Sequence, residues 1–238
     1  MEETVRFREQ VVLVTGGTGA LGGAVTRAFL QEGASVAVTY RTREEYESLQ
    51  SSIATGSARL RGYATDVTNE DEMLRTVAAV EEEFHRLDGL VSTVGGWSGG
   101  TKLWDAERAT LERMLDLNLR AAFVCARTVV PLLLRQGRGG YLVNVAARAA
   151  LDQPAGAGAY AASKAAAVAL MHSLAMDLKG TGIRVNSILP NIIDTPANRR
   201  AMPRADFGTW ITAEQIARVI LFLCTPDARA VNGASITV

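Results

Sequence analysis

The sequence has few of the residues on which metal and redox sites depend. Its 238 residues include two cysteines and two histidines, and these form no Cys/His cluster that could supply a set of metal ligands. Cys125 and Cys224 each lie within an apolar stretch typical of a helix. A thiol in that setting packs as a small hydrophobic side chain in a reducing compartment. The sequence therefore predicts no metal site and a packing role for both cysteines.

The chain also lacks an excess of either charge. Its 25 Lys and Arg residues balance its 25 Asp and Glu residues. Without a basic block there is little electrostatic attraction for nucleic acid or for anionic lipid. Residues 1–10 mix acidic and basic side chains, and no later apolar run approaches the roughly 20 residues that cross a bilayer. We therefore expect a cytoplasmic protein that acts on a small molecule, with no nucleic-acid or membrane partner.

Short β-branched runs alternate with longer helical periods along the whole chain, as in βαβ units. This pattern predicts a single-domain α/β protein over residues 1–238, with a doubly wound parallel sheet of the Rossmann type and helices on both faces. The predicted strands cover residues 11–15, 35–40, 60–65, 89–93, 141–145, 183–189 and 235–238. The predicted helices cover residues 21–32, 43–54, 69–86, 107–136, 157–179 and 212–224.

One long irregular stretch, residues 190–209, follows the predicted strand at 183–189. It begins at the carboxyl end of that strand, where open α/β sheets bind ligands. Loops of this length in a compact domain usually have a function. We expect a substrate lid here; a plain surface loop is the alternative.

A glycine-rich segment follows the first predicted strand and opens a helix. Residues 15–23 read TGGTGALGG, with the pattern GxGxxG at Gly17, Gly19 and Gly22. In this context the three glycines allow a tight turn, a close approach of the backbone to a pyrophosphate, and close packing of helix on strand, in that order. Helix N-terminal N–H groups bind the phosphates. The predicted dinucleotide contacts in this segment are Gly16, Gly17, Thr18, Gly19, Ala20, Leu21 and Gly22. A glycine-rich turn without a ligand is the alternative.

The end of the second predicted strand indicates which dinucleotide binds. Where an NAD site has an acidic residue, this sequence has Tyr40, Arg41 and Thr42. A guanidinium can form a charge-assisted hydrogen bond with a 2′-phosphate, worth about 1.5–3 kcal/mol. The sequence therefore predicts NADP(H) rather than NAD(H). Alternatively, Arg41 is only a solvated charge at the start of a helix.

A phenol and an ammonium group are spaced four residues apart, at Tyr160 and Lys164, on one face of a predicted helix. The phenol has an ordinary pKa of about 10, and a nearby ammonium group stabilises the phenolate and lowers that pKa. Such a pair is suited to acid–base catalysis near neutral pH. Together with the upstream glycine motif, it makes nearly the whole chain resemble the short-chain dehydrogenase/reductase family.

The resemblance implies roles for further residues. Asn118 matches the family's active-site asparagine, and Lys164 matches the lysine that holds the nicotinamide ribose. The other cofactor contacts that the resemblance implies are Asp66 and Val67 near the adenine, Thr93, Val94 and Gly95 after the fourth strand, and Pro190, Ile193 and Thr195 toward the nicotinamide.

Two segments depart from the usual family pattern. Ala147 stands where ordinary members have the serine that hydrogen-bonds a substrate carbonyl, and residues 92–100 read STVGGWSGG instead of the family's Asn-Asn-Ala-Gly. Both departures resemble the quinonoid dihydropteridine reductases within the family, as do residues 149–152 and 194–207. That resemblance implies reduction of a quinonoid dihydropteridine by hydride transfer, whereas the choice of NADPH as the hydride donor comes from Arg41. Asn118, Tyr40-Arg41 and Asp66-Val67 instead follow the wider family.

The missing hydroxyl at position 147 is compatible with such a substrate. Removing an oxyanion donor typically costs about 2.7–4 kcal/mol, but a quinonoid pterin spreads the incoming charge over several heteroatoms. We expect Trp97 to stack on the flat ring near Ala147, with Met202, Phe207 and Trp210 closing over it. As alternatives, the tryptophans only pack their loops and Asn118 only bridges helices.

Two other functions remain open at this point. The first is reduction of a carbonyl or 3-oxoacyl-thioester substrate, and the second is NADP binding without catalysis. The helices that contain Asn118 and Tyr160 are rich in alanine and have apolar faces. The resemblance implies that such helices pair between subunits, so we expect a homo-oligomer, either a dimer or a tetramer.

Overall fold

Seven short strands lie side by side in the computed structural model, which describes residues 6–53 and 57–238. They are β1 (Val11–Thr15), β2 (Ser35–Tyr40), β3 (Leu60–Ala64), β4 (Gly89–Ser92), β5 (Gly140–Val145), β6 (Ile183–Leu189) and β9 (Ser235–Thr237). Every pairing is parallel and the strand order is β3-β2-β1-β4-β5-β6-β9. β1, β4 and β5 are buried almost throughout, because a parallel sheet is covered on both faces.

Helices cover both faces of the sheet. They are α1 (Ala20–Gln31), α2 (Arg43–Ser51), α3 (Glu70–Phe84), α4 (Arg108–Met114), α5 (Ala121–Gln136), α6 (Ala149–Asp152), α7 (Gly158–Asp177), α8 (Pro196–Ala201) and α9 (Ala213–Cys224). One core contains α1 and α9 side chains such as Phe29 and Ile216, and the other contains α3, α5 and α7 side chains such as Met73 and Leu132. The predicted single-domain, doubly wound α/β fold is confirmed. Residues 1–5 of the predicted domain and residue 54, the predicted end of α2, lie outside the described residues.

Polar side chains begin several of these helices. Thr42, Asn69 and Thr212 each accept a hydrogen bond from a backbone N–H in the first turn of α2, α3 and α9. At α9 the side chain of Gln215 returns a hydrogen bond to the N–H of Thr212, which completes a capping box. These caps fix where the helices start after the carboxyl ends of the strands.

The predicted helix over residues 107–136 is not continuous. A π-helical turn, Leu115–Arg120, separates α4 from α5. Asn118 lies in this turn and is buried, and its side chain bonds to Gly96 of the loop after β4. π turns interrupt helices most often at functional sites, and here the turn coincides with a polar contact that helical periodicity does not reveal.

The stretch 190–209 is more ordered than the sequence predicted. It contains β7 (Ile193–Asp194), which pairs with β8 (Ile211–Thr212), and it also contains α8. Thr195 caps α8 by accepting a hydrogen bond from Asn198 N at 3.1 Å, and Pro196 occupies the first turn. These elements were missed because two strand residues and six helical residues are too short to produce a periodic pattern.

By length and composition, the segment Arg108–Gln136 could cross a membrane, because an 18-residue stretch within it has a mean hydropathy of 1.5. No such segment was expected from the apolar runs of the sequence. In the fold 61% of that stretch is buried, and α5 packs against the sheet and α3. It therefore has the surroundings of a core helix.

Both cysteines are free and buried, in line with the packing role that we predicted. Burial raises the pKa of the Cys125 thiol to about 12 and also raises the pKa of Cys224 above its ordinary value. Within the described residues, no group of three or more His, Cys, Asp or Glu side chains could hold a metal ion.

Candidate active site

The glycine loop between β1 and α1 is closely packed, and the roles of its glycines differ from the predicted ones. The left-handed turn is at Gly16, whose φ is 69°, and not at Gly17. Gly17 is needed because a Cβ there would overlap the side chain of Val38 on β2. A Cβ at Gly22 would overlap the carbonyl oxygen of Gly16, so the predicted close packing of helix on strand is confirmed. Gly19 caps α1 without a side chain.

A groove of about 280 Å³ runs along the carboxyl ends of the central strands. It brings together half of the predicted cofactor residues: Gly16, Thr18 and Gly19 from the glycine loop, Tyr40 and Arg41 at the end of β2, Asp66 and Val67 after β3, and Thr93, Val94 and Gly95 after β4. Glu45 and Leu117 also line it and were not predicted. Glu45 follows the helix cap Thr42 by three residues, a spacing that places it in the first turn of α2 near the end of β2.

The side chains at the β2 and β3 end of the groove have defined partners. Asp66 accepts hydrogen bonds from Thr68 N at 2.9 Å and Thr68 Oγ1 at 2.7 Å, and the side-chain bond in particular holds the pKa of Asp66 below its ordinary value. Tyr40 stacks on Tyr46, with ring centroids 5.1 Å apart. Thr42 serves as the cap of α2. Arg41 is exposed at the groove.

Tyr160 and Lys164 both lie on α7, but the structure reverses the expected direction of the tyrosine pKa. Burial raises the pKa of Tyr160 to about 12 and lowers the pKa of Lys164 to about 8. The lysine is buried, and its Nζ donates to the carbonyl oxygen of Val145 at 3.1 Å. Among the described hydrogen bonds none joins it to the phenol, so desolvation alone sets the direction at Tyr160.

Asn118 joins the loop after β4 to α7. Its Oδ1 accepts from Gly96 N at 2.9 Å, while its Nδ2 donates to Gly96 O at 3.0 Å and to Ser163 Oγ at 3.0 Å. Ser163 Oγ in turn donates to the carbonyl oxygen of Tyr160 at 2.8 Å. These contacts match the bridging alternative for Asn118, and a role on a proton path stays a prediction. Ser163 was missed, although its place between Tyr160 and Lys164 puts it on the same helix.

Gly95 shows how near the Asn118 and Lys164 side chains lie to each other. A Cβ at Gly95 would be 2.8 Å from both Asn118 Oδ1 and Lys164 Nζ. The loop after β4 can therefore pass between these two polar groups only because residue 95 has no side chain. The structure thus brings Gly95, Asn118, Ser163 and Lys164 together at one end of the groove.

On the substrate side, Ala147 is buried just after β5, and its carbonyl oxygen accepts from Ala150 N at 3.0 Å. Trp97 is 68% exposed, and its ring lies over Gly99. A second cleft of about 310 Å³ lies between residues 98–110 and residues 156–159, next to Tyr160 in the chain. No sequence motif indicates this cleft, because it forms where the loop after β4 meets the segment before α7.

The predicted lid residues pack on one another. Trp210 is buried, with its ring 4.8 Å from the ring of Phe207, and the Arg199 guanidinium lies 4.7 Å from the Phe207 ring. These contacts are compatible with the packing alternative for Trp210, and Met202 is half-buried. Closure of Met202, Phe207 and Trp210 over a substrate stays a prediction.

The three residues expected near the nicotinamide lie on the first part of this segment. Pro190 is buried and its carbonyl oxygen accepts from Arg148 N at 2.9 Å. Ile193 pairs with Ile211 in the small sheet, and the hydroxyl of Thr195 is the cap of α8. Contact of these three residues with a cofactor stays a prediction.

A family model described as "short chain dehydrogenase" matches residues 10–205. The chain belongs to the short-chain dehydrogenase family. Among its curated relatives is the 3-oxoacyl-[acyl-carrier-protein] reductase FabG of Thermotoga maritima, which is 30% identical over 237 residues, with 96% of each chain covered.

Solved structures share the fold of this chain. NAD+-bound xylitol dehydrogenase is 26% identical with a TM-score of 0.90, and 98% of each chain is covered. ElxO with NADP bound is 22% identical with a TM-score of 0.90, and 96% of each chain is covered; at that identity the likeness concerns the fold alone. This protein is thus an oxidoreductase of the short-chain dehydrogenase family.

Proposed function

We propose that this protein is an NADP(H)-dependent reductase in which Tyr160 donates a proton to the reduced substrate. The substrate that its site favours is a quinonoid dihydropteridine or a similarly conjugated ring. The observation that carries the choice is Ala147, a buried residue without a hydroxyl, located where ordinary family members have a serine. A substrate that concentrates negative charge on one oxygen would lack a second donor here.

The residues around the groove fit a dinucleotide. The overlaps at Gly16, Gly17 and Gly22 leave room for bare backbone only, which keeps N–H groups at the start of α1 accessible to phosphates. Arg41 lies on the groove wall and Lys164 is buried beyond its far end. These residues would hold the phosphates and the riboses of the cofactor. When bound, NADPH supplies the hydride.

The proton that the reduced substrate needs comes from the protein's own side chains. Because the pKa of Tyr160 is raised to about 12, the phenol keeps its proton at neutral pH and is available as a general acid for reduction. Asn118 fixes the loop after β4 to α7 through Gly96 and Ser163, which holds the phenol-bearing helix in place. Trp97, on the loop after β4, is 68% exposed and offers an aromatic face for a flat ring.

Reduction of a carbonyl or 3-oxoacyl-thioester substrate is the second candidate. It is favoured by the relative FabG, whose name describes a 3-oxoacyl reductase. The relatives named above therefore support this candidate more than they support pteridine reduction. Ala147 is the local feature that argues for the conjugated ring, and the two candidates predict different substrates in the same assay.

The assay mixes the protein with NADPH and follows the loss of absorbance of the reduced cofactor. One sample contains a chemically oxidised tetrahydropterin and another contains a 3-oxoacyl thioester. Turnover of the pterin supports the first candidate, and turnover of the thioester alone supports the second. NADPH binding without turnover in either sample supports a non-catalytic NADP-binding protein. The same samples with NADH test the cofactor choice.

We also propose that the protein forms a homo-oligomer through the outer face of α5 and α7. Phe123 is 46% exposed there and lies in an apolar groove with Leu119 and Leu170. Exposed apolar patches of this kind usually mark an interface. The two free thiols agree with a cytoplasmic location.

A further inference from the structure

Glu45 places a carboxylate in the dinucleotide groove at a point where the sequence shows no acidic residue at the end of β2. Thr18 Oγ1, in the glycine loop, donates to Glu45 Oε2 at 3.2 Å. Both residues line the groove together with Arg41. The backbone N–H of Glu45 is bonded to Thr42 Oγ1, so the cap of α2 fixes the position from which this side chain reaches the glycine loop.

A 2′-phosphate binds best to hydrogen-bond donors that have no negatively charged group next to them. It brings a charge of about −1.5 to −2 at neutral pH. On this part of the groove wall, Arg41 supplies a guanidinium and Thr18 supplies a hydroxyl. The hydroxyl already donates to a carboxylate. An incoming phosphate would have to displace that carboxylate and remain near its charge, whereas a ribose 2′-hydroxyl could donate to it.

We propose that Glu45 is a specificity-determining residue that weakens binding of a 2′-phosphorylated dinucleotide relative to the unphosphorylated one, in opposition to Arg41. This inference rests on the proposed function, because it requires a nicotinamide dinucleotide in the groove. In this proposal the cofactor preference is set by a balance between the guanidinium of Arg41 and the carboxylate of Glu45, and not by Arg41 alone.

The other charged side chains nearby have partners besides Glu45. Asp66 accepts two hydrogen bonds from Thr68, and the charge of Arg41 also contributes to lowering the pKa of Asp66. Arg43 pairs with Glu47 at 2.9 Å. Glu44 lines the adjacent cleft between α1 and α2 and is not part of the groove wall that Glu45 and Arg41 share. Glu44 therefore provides a matched control, since its neutralisation removes the same charge from the same helical turn.

The test measures Kd for NADPH and NADH by titration calorimetry, without any substrate, on the wild type, Glu45→Gln and Glu44→Gln. We expect Glu45→Gln to tighten NADPH binding by about two- to tenfold at low salt, because it removes a negative charge near the 2′-phosphate. The effect stays within this range because Glu45 is solvent-exposed and its charge is partly screened. NADH binding should stay unchanged or weaken. The gain should shrink as ionic strength rises, and Glu44→Gln should leave the NADPH/NADH ratio unchanged.

A double-mutant cycle with Thr18→Val tests the competition for the hydroxyl. Thr18→Val should weaken NADPH binding, and Glu45→Gln should then produce a smaller gain than it does in the wild type. The inference is overturned if Glu45→Gln leaves the NADPH/NADH ratio unchanged, or if Glu44→Gln shifts that ratio equally. A wild-type protein that binds neither nucleotide overturns the proposed function as well, so the two failures are distinguishable.

Discussion

The ammonium nitrogen of Lys164 lies 3.1 Å from the carbonyl oxygen of Val145, the last residue of β5. This contact ties α7, which also carries Tyr160, to the end of the central sheet. It holds a buried cation against a single backbone oxygen, so the folded protein pays a desolvation cost for keeping Lys164 charged.

That cost makes stability depend on pH. Burial lowers the pKa of Lys164 to about 8 in the folded protein, from an ordinary value of 10.5. Between those two values the unfolded chain binds more protons than the folded one, so the contribution of Lys164 to the free energy of unfolding rises with pH. The cost is fully present below about pH 8 and is relieved above it.

Urea unfolding of the wild type and of Lys164→Met at about pH 7 and about pH 9.5 measures this effect. We expect the wild type to gain stability relative to Lys164→Met as the pH rises. The methionine variant removes the titrating group and keeps most of the apolar side-chain volume. An identical pH dependence in the two proteins would contradict the assignment.

Ala147→Ser tests why the site lacks a hydroxyl. A serine at this position would add a donor for a developing oxyanion, and donors of this kind are typically worth about 10²–10³ in kcat. We expect kcat/KM for a ketone or 3-oxoacyl thioester to rise by about tenfold or more, with little change for an oxidised pterin. Ala149→Ser adds the same hydroxyl two residues along and should leave both rates unaffected. An equal rise for ketone and pterin would show that Ala147 does not select the substrate.

Phe123→Asp tests the proposed subunit interface. A carboxylate in the apolar groove with Leu119 and Leu170 would be desolvated on association. We expect this variant to be monomeric by size-exclusion chromatography with light scattering, while the wild type is an oligomer. Leu74→Asp, on α3, is the control because Leu74 is similarly exposed, at 49%. An unchanged oligomer in Phe123→Asp would place the interface elsewhere.

Much of the fold could be predicted because its signals are local. The strands β1, β2 and β6 have the predicted bounds, since each is a β-branched run bounded by clear breaks. The π turn at Leu115–Arg120 and the short helix α8 were missed. The π turn depends on a contact between Asn118 and Gly96, which are far apart in the sequence. Helix α8 is too short to produce a periodic pattern.

The sequence predicted which residues form the groove better than it predicted their pKa values and contacts. The groove contains ten of the expected cofactor residues, because the carboxyl ends of parallel strands meet at one edge of the sheet. The pKa direction of Tyr160 was wrong, because it depends on burial and on where the lysine side chain points. The contact between Thr18 and Glu45 joins two segments, and no local sequence motif predicts that they lie close together.

The most direct test of the central claim compares Tyr160→Phe with the wild type in two measurements, kcat for NADPH-dependent reduction and Kd for NADPH. Removing the phenolic proton donor should lower kcat by about 10²–10⁴-fold, while NADPH binding stays within about twofold of the wild-type value. Unchanged kcat in Tyr160→Phe, with the better of the two substrates, would contradict the account.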